Sequence, residues 1–245
     1  MPLLRRAIAA TSRRLERPEL LAAFYSVPRQ TLREEIAITA ILAAALRRGS
    51  TYVDIGANRG QVLEQAVRLA PEGDHIAFEP IPRVAADLAK AFPKVECRQM
   101  ALGARPETAE FCHFRSLEGW SGLKRSPEVS DERGDPEYIT VTVSTLDTEI
   151  GSRLPRVVKI DVEGAELGVL EGARELLSRA GPLVIFEHVA AAAALYGTRS
   201  EALWDLLESL GYEVLAVTGE GPLTRQQFAA NTTVVNWLAR PLAAS

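Results

Sequence analysis

Cysteine is nearly absent from this chain of 245 residues: Cys97 and Cys112 are the only two, and neither belongs to a C-x-x-C pair. Their scarcity argues against a disulfide framework and a thiolate zinc site, and it points to a reducing, cytoplasmic setting in which both are small buried hydrophobes. Long apolar runs are missing too, so no segment approaches a membrane span. Met1 to Leu20 interleave Arg5, Arg6, Arg13, Arg14 and Arg17 with short apolar groups, without the continuous core of a secretory signal. That stretch is expected to be a solvated helix packed across the domain. Positive charge is not in excess: 28 basic against 32 acidic residues leave a net charge of -4, which supplies no overall field for a nucleic-acid backbone. The glycine set of a dinucleotide fingerprint is also incomplete, because Asn58 and Gln61 stand where G-x-G-x-x-G requires glycines.

What the chain does have is a hydrophobic content of 47%, enough for one substantial core. Apolar runs with β-branched content occur at Tyr52–Ile55, His75–Phe78, Val95–Gln99, Arg156–Ile160, Leu183–Phe186, Tyr212–Val217 and Thr232–Leu238. Helical periods separate most of them, at Gln61–Ala70, Ala85–Phe92, Ala165–Ser178 and Ser200–Leu210, which predicts a mostly parallel sheet covered on both faces. Leu32–Leu46 predicts a further apolar helix ahead of the sheet. Between Leu102 and Leu146 the alternation breaks: Thr108–Phe114 and Tyr138–Val143 predict a β-hairpin with a long connection, in which Trp120 either closes over a ligand or tucks against the sheet.

Ligands of such a sheet gather at the carboxyl ends of its strands. There the chain places Asp54, then a turn with Gly56, Asn58 and Gly60, and then Glu79 at the end of the next strand. Gly56 allows a sharp turn, Gly60 is read as allowing close approach of a ligand, and Asn58 tolerates left-handed backbone angles. The Glu79 carboxylate can accept both hydroxyl protons of a ribose, while Asp54 suits a cationic amino-acid end better than a pyrophosphate. Asp161 ends a later strand in the block Lys159-Ile160-Asp161-Val162-Glu163-Gly164-Ala165-Glu166. Its glutamates read as helix-start acids.

Together with Phe78-Glu79-Pro80, Gln99-Met100-Ala101-Leu102 and Phe186-Glu187, these segments resemble the FkbM family of S-adenosylmethionine-dependent O-methyltransferases, in matching order over roughly residues 50 to 217. The resemblance implies a class I methyltransferase, a Rossmann-like α/β doubly wound sheet of seven strands with the last one antiparallel. Residues 50–245 would form that domain, and residues 1–49 a helical segment packing on it. It implies S-adenosylmethionine as cofactor, with Asp54, Gly56, Asn58, Gly60 and Asp161 around the methionine end, Glu79 and Pro80 at the ribose, and Gln99, Met100 and Ala101 at the adenine. It also implies a small hydroxylated acceptor: a sugar, glycolipid or polyketide-like natural product.

Transfer to a hydroxyl needs a base. His188 is the leading candidate, since it ends the fifth strand and imidazole titrates near neutrality, with Asp161 and Glu187 beside it to orient substrate. His113 is a rival on the hairpin, whereas His75 starts a strand at the wrong edge. No compact metal motif is present, and no metal is expected. Two other readings stay open: a nicotinamide oxidoreductase on a similar sheet, and a non-catalytic protein that binds the same cofactor.

Overall fold

The computed structural model describes residues 29–242. The basic segment Met1–Leu20 lies outside the described residues. The first helix, α1 (Arg29–Ala45), buries Ile38 and Leu42 one turn apart, with Leu46 one turn further on. Strand β1 (Tyr52–Ile55) is buried along its whole length. It leads through the glycine turn to α2 (Gln61–Leu69), β2 (Ile76–Phe78), α3 (Pro82–Ala91) and β3 (Glu96–Arg98).

The interruption is larger than a hairpin. Short β4 (Ala101–Leu102) pairs in parallel with β6 (Pro136–Ser144), which pairs antiparallel with β5 (Glu107–Phe114), giving a second sheet of three strands. Phe111, Val141 and Val143 pack there with Ala101, Ile81 and Val84 in a core of their own, which is why the extension holds its place. Between β5 and β6 run a single turn at Glu118–Trp120 and the short α4 (Asp131–Gly134).

The chain then returns through α5 (Leu146–Ile150) and β7 (Val157–Ile160), and the helix predicted over Ala165–Ser178 is two: α6 (Glu166–Glu171) and α7 (Arg174–Ala180). Two contacts explain the break. A Cβ on Gly172 would lie 2.1 Å from the Gly103 carbonyl oxygen, so another loop docks there, and the Asp147 carboxylate accepts the Glu175 and Leu176 N–H groups at 3.0 and 2.8 Å, capping a new helix start. The remaining elements are β8 (Leu183–Glu187), α8 (Ala190–Ala194), α9 (Ser200–Ser209), β9 (Tyr212–Ala216), α10 (Arg225–Ala229) and β10 (Asn236–Pro241).

The main sheet has the order β3-β2-β1-β7-β8-β10-β9, with β10 antiparallel to both its neighbours. Placing β1 beside β7 creates the point where the strand order reverses, with the carboxyl ends of both strands opening on the same side. Apolar clusters cover each face of the sheet: Leu63, Ala66 and Leu42 contribute to one, and Leu176, Phe186 and Trp237 to the other.

Helix α1 is tied to the start of β10 through one buried side chain. Glu34 is 1% exposed, and its carboxylate accepts the backbone N–H groups of Val235 (3.3 Å) and Asn236 (3.1 Å) and the Asn236 amide at 3.0 Å. Glu34→Ala leaves these donors without their acceptor. It should lower unfolding free energy by roughly 1–3 kcal/mol, measured by urea denaturation, with Glu34→Gln recovering part of the loss.

Candidate functional site

Two connected cavities lie above the carboxyl ends of β1, β2 and β7. The first, of about 770 Å³, is bordered by Phe78, Glu79, Pro80 and Ile81 on one side and by Met100, Ala101, Phe111 and Leu123 on the other. The second, of about 1240 Å³, holds Asp54, Lys159 and Asn236, with Thr31, Glu35 and Ile38 of α1 at its edge. Gly56, Asn58, Glu118, Asp161 and Glu187 line both. The apolar part of the first cavity, between Ile81, Met100, Phe111 and Leu123, suits a flat base, and the charged second one suits an amino-acid end.

The glycine turn is left-handed at Gly56 (φ 75°), Asn58 (φ 46°) and Gly60 (φ 76°). Both glycines are required by packing. A Cβ on Gly56 would lie 1.8 Å from the Asp161 carbonyl oxygen, and one on Gly60 would lie 2.5 Å from the Phe92 ring and 2.8 Å from Leu88. Gly60 caps α2 without lining either cavity, which corrects its reading as a point of ligand approach. Gln99 is likewise exposed and lines neither, whereas Met100 and Ala101 do face the cleft.

Glu79 ties the turn together: its two carboxylate oxygens accept the Asn58 and Ile81 N–H groups, each at 2.9 Å. Burial pushes its pKa up to about 7, with Glu118 and Asp54 adding to the rise against those two hydrogen bonds. Asp54 is 1% exposed, and neither of its carboxylate oxygens makes a hydrogen bond of normal geometry among the described residues, although the Tyr52 hydroxyl and the Leu63 N–H lie near enough to favour its ionised form slightly. Burial lifts its pKa to about 6, Lys159 opposing and Asp161 reinforcing the rise. Lys159 is itself buried and donates to Asp161 at 2.7 Å; desolvation disfavours its charge, but Asp161 and Asp54 outweigh that and hold its pKa above the ordinary lysine value. A buried carboxylate left without a donor is costly, so a ligand with a cationic group is the partner this site fits.

Three acids meet at the next junction. Ligand oxygens of Asp161, Glu163 and Glu187 all lie within 4.8 Å of one another, a set that could hold a divalent cation. Glu163 faces the cleft with a left-handed backbone (φ 54°), because Gly164 after it packs against the Ala192 carbonyl, only 2.5 Å from where a Cβ would be. Burial, then Asp161 and Glu166, push its pKa to about 8. Glu187 is raised well above the usual carboxylate range by burial and by Asp161 and Glu163. Glu166 braces the turn, accepting the Gly164 N–H at 2.9 Å.

His188 does not reach this junction. It follows β8, so its side chain leaves the sheet on the face opposite Glu187, where Nε2 meets the Ser200 hydroxyl at 2.8 Å and the ring stacks on Phe228. Burial lowers its pKa to about 4, leaving a neutral core imidazole. His113 lines neither cavity and sits 3.8 Å from Glu137, while His75 is structural, accepting the Tyr52 N–H at 3.2 Å and bonding the Ala70 carbonyl at 2.7 Å. Residues that sequence reasoning passed over include Lys159, Phe111, Leu123 and Glu118. The Glu118 side chain is 6% exposed between Arg59, at 2.8 Å, and Arg83, fastening the inserted segment to the glycine turn and to α3. Glu163 was visible in its motif, but the helix-start explanation concealed its direction.

Among the described residues no helix is long and apolar enough to cross a membrane. Residues 54–214 match the family model described as the methyltransferase FkbM domain. Methyltransferase sdnD of Sordaria araneosa is 30% identical over 155 residues, spanning 50% of this chain and 60% of that protein. The AMB antimetabolite synthetase AmbE of Pseudomonas aeruginosa is 26% identical over 203 residues, covering 67% of this chain and 10% of AmbE. The chain thus spans less than two thirds of either relative. SMU.1697c of Streptococcus mutans, solved in complex with S-adenosylhomocysteine, shares the fold at a TM-score of 0.50 and 11% identity, over 88% of this chain and 99% of that one. The family match decides between the cofactor readings against nicotinamide, and the orphaned Asp54 agrees with it. This chain belongs to the FkbM methyltransferase family, with S-adenosylmethionine as its cofactor.

Proposed function

We propose that this methyltransferase acts on a hydroxyl group of a small sugar, glycolipid or natural-product acceptor, with Glu187 as the general base. One observation carries the assignment. A third cavity, of about 820 Å³, adjoins the other two, and among the described residues Glu187 alone borders all three. A base for methyl transfer must face the methyl donor and the acceptor together. The similarity to an antimetabolite synthetase supports a natural-product acceptor.

When bound, S-adenosylmethionine supplies a methyl group on a sulfonium sulfur that becomes a neutral thioether on transfer. Asp54 binds the ammonium of its amino-acid end, and Gly56, Asn58 and Asp161 line that part of the cleft. Glu79 accepts the ribose hydroxyls on the lone pairs its two backbone bonds leave free, while Pro80, Met100 and Ala101 border the adenine. Glu187 takes the proton of the acceptor hydroxyl at a carboxylate oxygen. Asp161, fixed by Lys159, holds negative charge beside Glu187 and so keeps it more basic than a solvated carboxylate.

Four outcomes are expected. Glu187→Gln should cut turnover about 10²–10⁴-fold while S-adenosylhomocysteine affinity, measured by calorimetry, stays close to wild type; wild-type turnover would remove Glu187 as base. Because the base must be ionised and its pKa is raised, wild-type turnover should already fall at pH values where a solvated glutamate is still fully ionised. Asp54 binds the cofactor's cation only as a carboxylate, so S-adenosylhomocysteine affinity should hold above its pKa and decline as pH falls through about 6. Asp54→Asn should weaken that binding by about 1.5–3 kcal/mol above neutrality and flatten the pH dependence. Tight cofactor binding with no mass gain on any hydroxylated acceptor would return the non-catalytic reading.

A further inference from the structure

The third cavity lies between the inserted segment and α8, and its composition differs from that of the cofactor cleft. Trp120, Val189 and Leu195 line it, exposed by 41%, 37% and 36%, and all three belong to the few large apolar side chains that the described residues leave open to solvent. Apolar groups gathered around one concavity mark a ligand site far better than the same groups scattered singly. Glu163 and Glu187 line the same cavity and also face the cofactor cleft. One end of this cavity is therefore acidic and adjoins the cofactor cleft, while the rest sets an apolar wall of Trp120, Val189, Ala192 and Leu195 against a rim that carries Lys124, Ser126 and Glu128.

Its walls are built in. The Tyr196 hydroxyl, just beyond α8, accepts the Lys124 N–H at 3.0 Å, tying the inserted segment to the opposite wall. Cys112 and Gly122 exchange backbone hydrogen bonds of 2.9 and 3.1 Å, which anchor the Trp120 turn to β5. Gly164 seats α8 directly on the Glu163 turn. No wall has to be assembled by the ligand, so little ordering entropy opposes binding.

We propose that this cavity is the acceptor site and that it selects amphipathic acceptors, with an apolar body against Trp120, Val189 and Leu195 and an uncharged hydroxyl-bearing end at Glu163 and Glu187. The proposal rests on the hydroxyl-transfer reading above. Neutral hydroxyls can pair with Glu163 and Glu187 whether those acids are protonated or ionised, whereas an anionic group would meet three acids gathered within 4.8 Å of one another. Acceptors that carry phosphate or carboxylate beside the reacting hydroxyl are excluded on the same ground.

The test uses n-octyl β-D-glucoside and sodium octyl sulfate, both below their micellar concentrations, titrated calorimetrically into the full chain saturated with S-adenosylhomocysteine. The glucoside should bind, and the sulfate should bind about tenfold more weakly or not at all. Trp120→Ala and Leu195→Asp should each weaken the glucoside about tenfold while S-adenosylhomocysteine affinity remains that of wild type, which also reports that the variants are folded. Equal binding of the two amphiphiles, absent glucoside binding, unchanged binding in both variants, or displacement of S-adenosylhomocysteine by the glucoside would each overturn the proposal. Loss of S-adenosylhomocysteine binding by the wild-type chain would instead count against the cofactor site itself, so the two failures are distinguishable.

Discussion

The site depends on how closely the turn after β1 approaches the end of β7. Gly56 lies so near the Asp161 carbonyl that no Cβ fits between them, and the Asp161 N–H donates to the Ile55 carbonyl at 2.9 Å. That contact extends the parallel pairing of β1 and β7 past the sheet, so the two carboxyl ends share one space. Asp54, Lys159 and Asp161 meet because of it, and the turn must be left-handed there to clear the neighbouring backbone. Any side chain at Gly56 would separate the cofactor cleft from the acids of β7 and β8.

Negative charge gathered in this way is unfavourable by itself. Burial and mutual repulsion raise the pKa values of Asp54, Glu79, Glu163 and Glu187, and Lys159 is the buried cation set against them. Such a site holds stability back in exchange for affinity toward a cationic ligand, because the ligand relieves what the fold alone leaves uncompensated. It follows that one residue can be both poorly solvated and basic, the condition a general base near neutrality requires.

The main sheet was legible because its strands are short apolar runs buried on both faces and its helices carry a clear period. The doubly wound sheet of seven strands and its antiparallel last strand came with the family resemblance and match the structure. Other features were not legible for physical reasons. The division of α6 from α7 depends on Asp147 and Gly103, both distant in sequence. Strand β4 is too short to show a pattern. Asp54, Glu79 and Asp161 end strands, so their placement followed from the sheet, whereas the direction of Glu163 depends on a left-handed turn that α8 imposes. His188 was misplaced by a single residue of strand alternation: Glu187 faces the cleft, so its neighbour faces the core.

The inserted segment supplies Leu123 to the cofactor cavity and Trp120 to the third cavity, three positions apart on one short stretch that Glu118 fastens to the glycine turn. The two cavities therefore share one short stretch of chain as a wall. Substitutions at that fastening, Glu118 with Arg59 and Arg83, are the ones that reach both sides of the segment, whereas Trp120 borders the third cavity alone.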